Sequence, residues 1–137
     1  MRFFVSLFCY IARFIMSLRY KVTIEGKELL TKKNLSKKGG ILILPNHPAH
    51  IDPILITLLL WPKFHHKPLV VEYVFRQAII NTIMKAVGAL SIPNMETSLN
   101  EIKMKNAHGV IQQVIDGLKD NDNFLLYPSG RLKHTGK

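Results

Sequence analysis

The chemistry open to this chain is concentrated in two short stretches, each directly after an aliphatic run. The first is Asn46-His47-Pro48-Ala49-His50-Ile51-Asp52-Pro53, in which four residues separate His47 from Asp52. If the loop curls into a helix start near Pro53, the Asp52 carboxylate reaches one ring nitrogen of His47. The other nitrogen then faces outward as an acceptor. Such a pair abstracts protons: the carboxylate holds the imidazole tautomer and stabilises the imidazolium that forms. The same residues also suit a histidine that satisfies loop backbone and an aspartate that caps the next helix. A third arrangement makes His47, His50 and Asp52 metal ligands, joined by His65 or His66, as in a metal-dependent hydrolase. His-x-x-His-x-Asp is not a common zinc spacing, however, and no cysteine assists.

The second stretch is Tyr127-Pro128-Ser129-Gly130-Arg131. Gly130 permits unusual backbone angles and close approach of a ligand. Arg131 presents a planar fork of donors suited to phosphate. Alone, Pro-Ser-Gly also marks an ordinary turn.

The two stretches in this order resemble the PlsC-like glycerolipid/lysophospholipid acyltransferase family. That family carries Asn-His-(four residues)-Asp and, later, Phe-Pro-Glu-Gly-Thr-Arg after a strand. The resemblance runs from about Arg19 onward, through Tyr20–Gly26. It implies transfer of an acyl group from acyl-CoA or acyl carrier protein to the hydroxyl of a lysophospholipid, 1-acylglycerol-3-phosphate. The setting is phospholipid biosynthesis at the cytoplasmic face of a membrane. His47 would be the catalytic base and Asp52 would hold its ring. Ser129, Gly130 and Arg131 would bind the acceptor, and Asn46 would buttress the loop or donate to the oxyanion. The resemblance calls for no metal and no cofactor beyond the acyl donor.

The chain departs from the family pattern in three places. Ser129 stands where the family has glutamate, and the threonine is missing. Glu72, Phe75 and Gly88 match an intermediate block, but Asn94 occupies the place of its arginine, leaving Arg76 or Lys85 to supply that phosphate contact. The chain ends six residues after Arg131, whereas family members continue. The expectation is therefore the N-terminal part of a longer enzyme, C-terminally truncated. An inactive membrane-bound fragment is a further alternative.

The elements that must position these residues alternate along the chain. Strands are expected at Lys21–Glu25, Gly40–Leu44, Leu69–Tyr73, Ala89–Ile92 and Phe124–Tyr127. Helices are expected at Pro53–Leu60, at Gln77–Val87, and from a Ser98/Glu101 capping box onward. Helices alternating with aliphatic strands argue for an α/β domain with a mostly parallel sheet. Ligands in such sheets bind beyond the carboxyl ends of the strands. His65 and His66, between Lys63 and Lys67, read as a solvated basic loop.

Residues 1–19 read differently from the domain at 20–137. Phe3 to Leu18 is nearly all apolar, while Arg2, Ser6, Cys9, Arg13 and Ser17 fall on one helical stripe. That pattern suits an anchor helix in the membrane interface, or a helix packed on a soluble core. The chain has 137 residues, 19 basic and 9 acidic, for a net charge of +10. Nine of the basic residues and two of the acidic ones precede residue 41. Charge gathered beside an apolar helix fits membrane phospholipid rather than nucleic acid. At 47% hydrophobic residues the chain is not disordered, and its single cysteine excludes an internal disulfide.

Overall fold

The aliphatic runs become strands, though shorter ones than their composition suggests. The computed structural model describes residues 2–26, 28–35, 38–46, 52–94 and 100–128. In chain order the elements are α1 (Arg2–Arg19), α2 (Lys32–Leu35), β1 (Leu42–Ile43), α3 (Asp52–Phe64) and β2 (Lys67–Val71). A 3₁₀ turn over Glu72–Arg76 follows, then α4 (Ala78–Ala86), β3 (Leu90–Ile92), α5 (Glu101–Lys119) and β4 (Phe124–Leu125).

The four strands form one parallel sheet in the order β1-β4-β2-β3. Leu42 pairs with Phe124 and Ile43 with Leu125. On the other side of β4, Lys67 pairs with Phe124 and Pro68 with Leu125. The last of the described strands is therefore an interior one, and Phe124 and Leu125 are among the most deeply buried side chains. Parallel strands need crossovers, and α3, α4 and α5 supply them. The structure is thus the α/β domain with a parallel sheet that the alternation predicted.

Asn123 ties four of these elements together. Its side-chain oxygen accepts from the Ile41 amide at 2.8 Å, and its side-chain nitrogen donates to the Phe64 carbonyl. Its own carbonyl accepts from the Lys67 amide at 2.7 Å. Lys67 also forms an ion pair with Asp122. Gly40 lies so close to this turn that a Cβ would fall 1.7 Å from the Asp122 carbonyl oxygen.

Several local expectations are corrected. Residues 21–24 adopt no regular structure, so Lys21–Glu25 is not a strand. Helix α3 does not stop before Trp61-Pro62 but runs through Pro62 to Phe64. Trp61 and Phe64 are both buried, and this burial holds a last turn that proline weakens. His65 then takes a positive φ of 47° and ends the helix. His66 is not solvated: it is completely buried. Among the described residues neither of its ring nitrogens has a hydrogen-bond partner. Burial, and secondly the neighbouring His65, push its pKa down to about 4. The cap of α5 is Asn100, whose side-chain oxygen accepts from the Lys103 amide at 2.8 Å, and Ser98 lies outside the described residues.

Helix α1 packs against α3 through Val5, Cys9, Ala12 and Met16, on Leu58 and Trp61. Ser6 and Arg13 lie on this half-buried side. Of the polar stripe, Ser6, Cys9 and Arg13 therefore turn toward the protein while Arg2 and Ser17 stay exposed, and Cys9 belongs to the core. Phe3, Phe4, Phe8, Phe14, Ile15 and Leu18 are exposed on the other side. No helix among the described residues is long and apolar enough to cross a membrane.

Candidate active site

The site is built where β1 and β4 end. The two strands are adjacent and parallel, so both chains leave the sheet side by side at the same edge. The Leu126 amide still donates to the Ile43 carbonyl at 3.0 Å, so pairing continues past β4 itself. One chain then reaches Asn46, and the other reaches Tyr127 and Pro128. Motifs about 80 residues apart in sequence are neighbours because one pair of strands delivers them.

Asp52 is the first residue of α3, half-buried, at this same edge. A carboxylate there is favoured by the amide groups of the first helical turn. Across from it is Tyr127, half-buried, whose hydroxyl pKa is pushed up to about 12. Burial is the larger cause and the Asp52 charge the second, since both disfavour a phenolate. The aspartate of the first motif thus shares an electrostatic environment with the tyrosine of the second. Nothing in the sequence pairs these two residues; only the β1–β4 register does.

Asn46 is exposed at the exit of β1. His47, His50, Ser129, Gly130 and Arg131 lie outside the described residues. The structure therefore brings together the strand ends and helix start that carry both motifs, together with Asn46 and Asp52.

Two expectations about accessory groups are corrected by topology. His65 and His66 follow the far end of α3, which rises about 18 Å from Asp52 to Phe64. They cannot join Asp52 around one metal ion. Among the described residues no three histidine, cysteine or carboxylate side chains are gathered in a metal-holding group. Lys85 lies in the last turn of α4. That turn leads to Gly88, where an added Cβ would lie 3.5 Å from the side chain of Lys67, the first residue of β2. Lys85 is thus at the amino-terminal edge, opposite the site.

A cation does reach the loop after β3, and it comes from α5. The Lys103 ammonium donates to the Asn94 carbonyl at 3.0 Å. The Asn94 amide in turn donates to the Glu72 carboxylate at 3.5 Å, joining the carboxyl ends of β2 and β3. Arg76 closes the 3₁₀ turn that follows β2 and is exposed. Lys103 was not singled out from sequence, because its position depends on how α5 begins after the loop.

No curated protein and no solved structure matches the chain. The acyltransferase family model matches residues 21–137, all of the chain beyond α1 and Tyr20. That span contains both motifs, in order, each following a strand of the parallel sheet. The chain belongs to the PlsC-like acyltransferase family.

Proposed function

We propose that this acyltransferase moves a fatty acyl group from acyl-CoA or acyl carrier protein to the free hydroxyl of a lysophospholipid, 1-acylglycerol-3-phosphate. The observation that carries the reading is the pairing of β1 with β4, which sends both motifs out at one edge. His47 takes the proton of the acceptor hydroxyl as its oxygen attacks the thioester carbonyl. The C–S bond then breaks, and the imidazolium returns the proton to the departing thiolate. Asp52, at the start of α3, holds the His47 ring and balances its charge. General-base action of this kind is worth about 10²–10⁴-fold in rate. Gly130 and Arg131, with Ser129, hold the acceptor phosphate, and Asn46 supports the loop or donates to the oxyanion. Both substrates are positioned against one loop edge, which lowers the entropic cost of a reaction between two molecules.

The outward face of α1 supports a membrane setting, which the reading puts at the cytoplasmic face as the family resemblance implies. Phe3, Phe4 and Leu18 are each more than 70% exposed, a poor arrangement in water and a good one against acyl chains. The excess of basic residues in the first 40 positions suits anionic lipid headgroups.

The test is acyl transfer in detergent micelles with lysophosphatidic acid and a labelled acyl thioester. Labelled phosphatidic acid is expected, with its rate falling at least about a hundredfold in His47→Ala. Product formed equally by His47→Ala would overturn the assignment of the base.

A further inference from the structure

Strand β4 sends its side chains to two different faces of the sheet, and the strand order fixes which helix covers each. The β1-α3-β2 connection crosses the sheet in one direction, past β4, and β3-α5-β4 crosses back in the other, past β2. Right-handed crossovers then put α3 on one face and α5 on the opposite one. Phe124 faces α5, since a Cβ added to Gly117 of that helix would lie 2.6 Å from its ring. Successive strand residues alternate faces, and pairing continues past β4 through the Leu126 amide. Leu125 and Tyr127 therefore face α3.

Asp52 opens α3 at the carboxyl edge, where Tyr127 leaves the sheet. Tyr127 is half-buried as a residue, and its hydroxyl oxygen is buried. Burial first, and then the Asp52 charge, push its pKa up to about 12. The hydroxyl therefore keeps its proton at any working pH and stays a donor.

We infer that Tyr127 is a positioning residue of the acyl-transfer site: from the α3 face of β4 its hydroxyl donates to the Asp52 carboxylate and holds it in the orientation that supports the catalytic base. This role rests on the acyl-transfer reading. A carboxylate has two oxygens, so one takes the tyrosine hydroxyl while the other serves the His47 ring. A donor on a buried arm removes the rotational freedom of the carboxylate before substrate arrives. The second motif thereby acts on the first through β4, and not only through the acceptor.

The test compares wild type, Tyr127→Phe, Asp52→Asn and the double variant, in micelles with lysophosphatidic acid and a labelled acyl thioester. Tyr127→Phe keeps the ring and removes only the hydroxyl. Its kcat is expected to fall about tenfold, with KM for both substrates and the thermal midpoint unchanged. In the Asp52→Asn background the same change should have little further effect, since the carboxylate it acts through is gone.

A second readout needs no acyl transfer. Of the four tyrosines, Tyr10, Tyr20 and Tyr73 are exposed, and Tyr127 is the half-buried one. Stopped-flow pH jumps followed at the tyrosinate absorbance, with Tyr127→Phe as the blank, isolate its ionisation before the chain unfolds. In Asp52→Asn that ionisation should move to lower pH, because the charge opposing the phenolate is removed while burial stays. Unchanged kcat in Tyr127→Phe, an equal loss in both backgrounds, or a raised acceptor KM with unchanged kcat overturns the positioning role. So does ionisation of Tyr127 at the same pH in wild type and Asp52→Asn. A wild type that transfers no acyl group overturns the acyl-transfer reading instead, and the ionisation shift then decides whether Tyr127 acts on Asp52.

Discussion

His66 shows how burial converts a basic-looking residue into a liability at low pH. Its folded-state pKa of about 4 lies below its ordinary value of 6.5. Between those values the unfolded chain takes up a proton that the folded chain refuses. Stability therefore rises with pH across this window and is complete above 6.5. The expected loss on going from pH 6.5 to 4 is roughly 3 kcal/mol. Urea midpoints at pH 6.5 and pH 4.5 check this, with His66→Phe showing a smaller drop than wild type. An equal drop in both proteins would remove His66 as the cause. Asp52 makes the second case at this scale. Asp52→Asn keeps the shape of the α3 start but removes the charge that faces Tyr127. The acyl-transfer rate should fall by about 10²-fold or more with the fold intact, read as kcat beside an unchanged circular dichroism spectrum.

Among the elements, the turn from α5 into β4 controls the most. Through Asn123 it connects β1, the end of α3 and the start of β2. Asn123→Ala should cost about 1–3 kcal/mol, because the Ile41 amide and the Phe64 carbonyl lose their partner. Gly40→Ala should be at least as damaging, since the added methyl meets the Asp122 backbone rather than a movable side chain. Thermal midpoints of the two variants check both statements, and a midpoint within one degree of wild type in either would contradict the corresponding one. Helix α1 has a different part. Its inward side packs on Leu58 and Trp61 while its outward side carries large apolar groups. Phe8→Gln together with Ile15→Gln changes only exposed positions and leaves the charge as it is. The pair should weaken co-sedimentation with anionic vesicles while leaving the thermal midpoint near that of wild type.

Over the whole molecule, the strand order determines which motifs meet. Inserting β4 between β1 and β2 makes the carboxyl edge of the sheet a single platform. It receives Asn46, Asp52, Tyr127 and, through Asn94 and Lys103, a cation from α5. The opposite edge receives Lys85, His65 and His66, away from the site. The net charge of +10 acts at the same scale. Binding to anionic vesicles should weaken steeply between low and physiological salt, because exposed cations are screened within about 10 Å at 0.1 M. Salt-independent binding would mean that the apolar face of α1 acts alone.

From sequence, the two motifs, their order and the aliphatic runs before them were enough to indicate the α/β class and the family. These are local patterns, and local patterns survive being read one residue at a time. The inner side of α1 was not legible, because Arg13 and Cys9 look alike as stripe positions until α3 supplies a partner surface. The burial of His66 was hidden for the same reason: its lysine neighbours are charged, while the core it enters comes from residues far along the chain. The linkage of Asp52 with Tyr127 required the strand order, which no spacing encodes. What the sequence by itself determined was which residues carry chemistry and which segments prefer to be strand or helix. What only the tertiary structure decided was which of them share an edge or a core, because those depend on the pairing of β1 with β4 and the packing of α1 on α3.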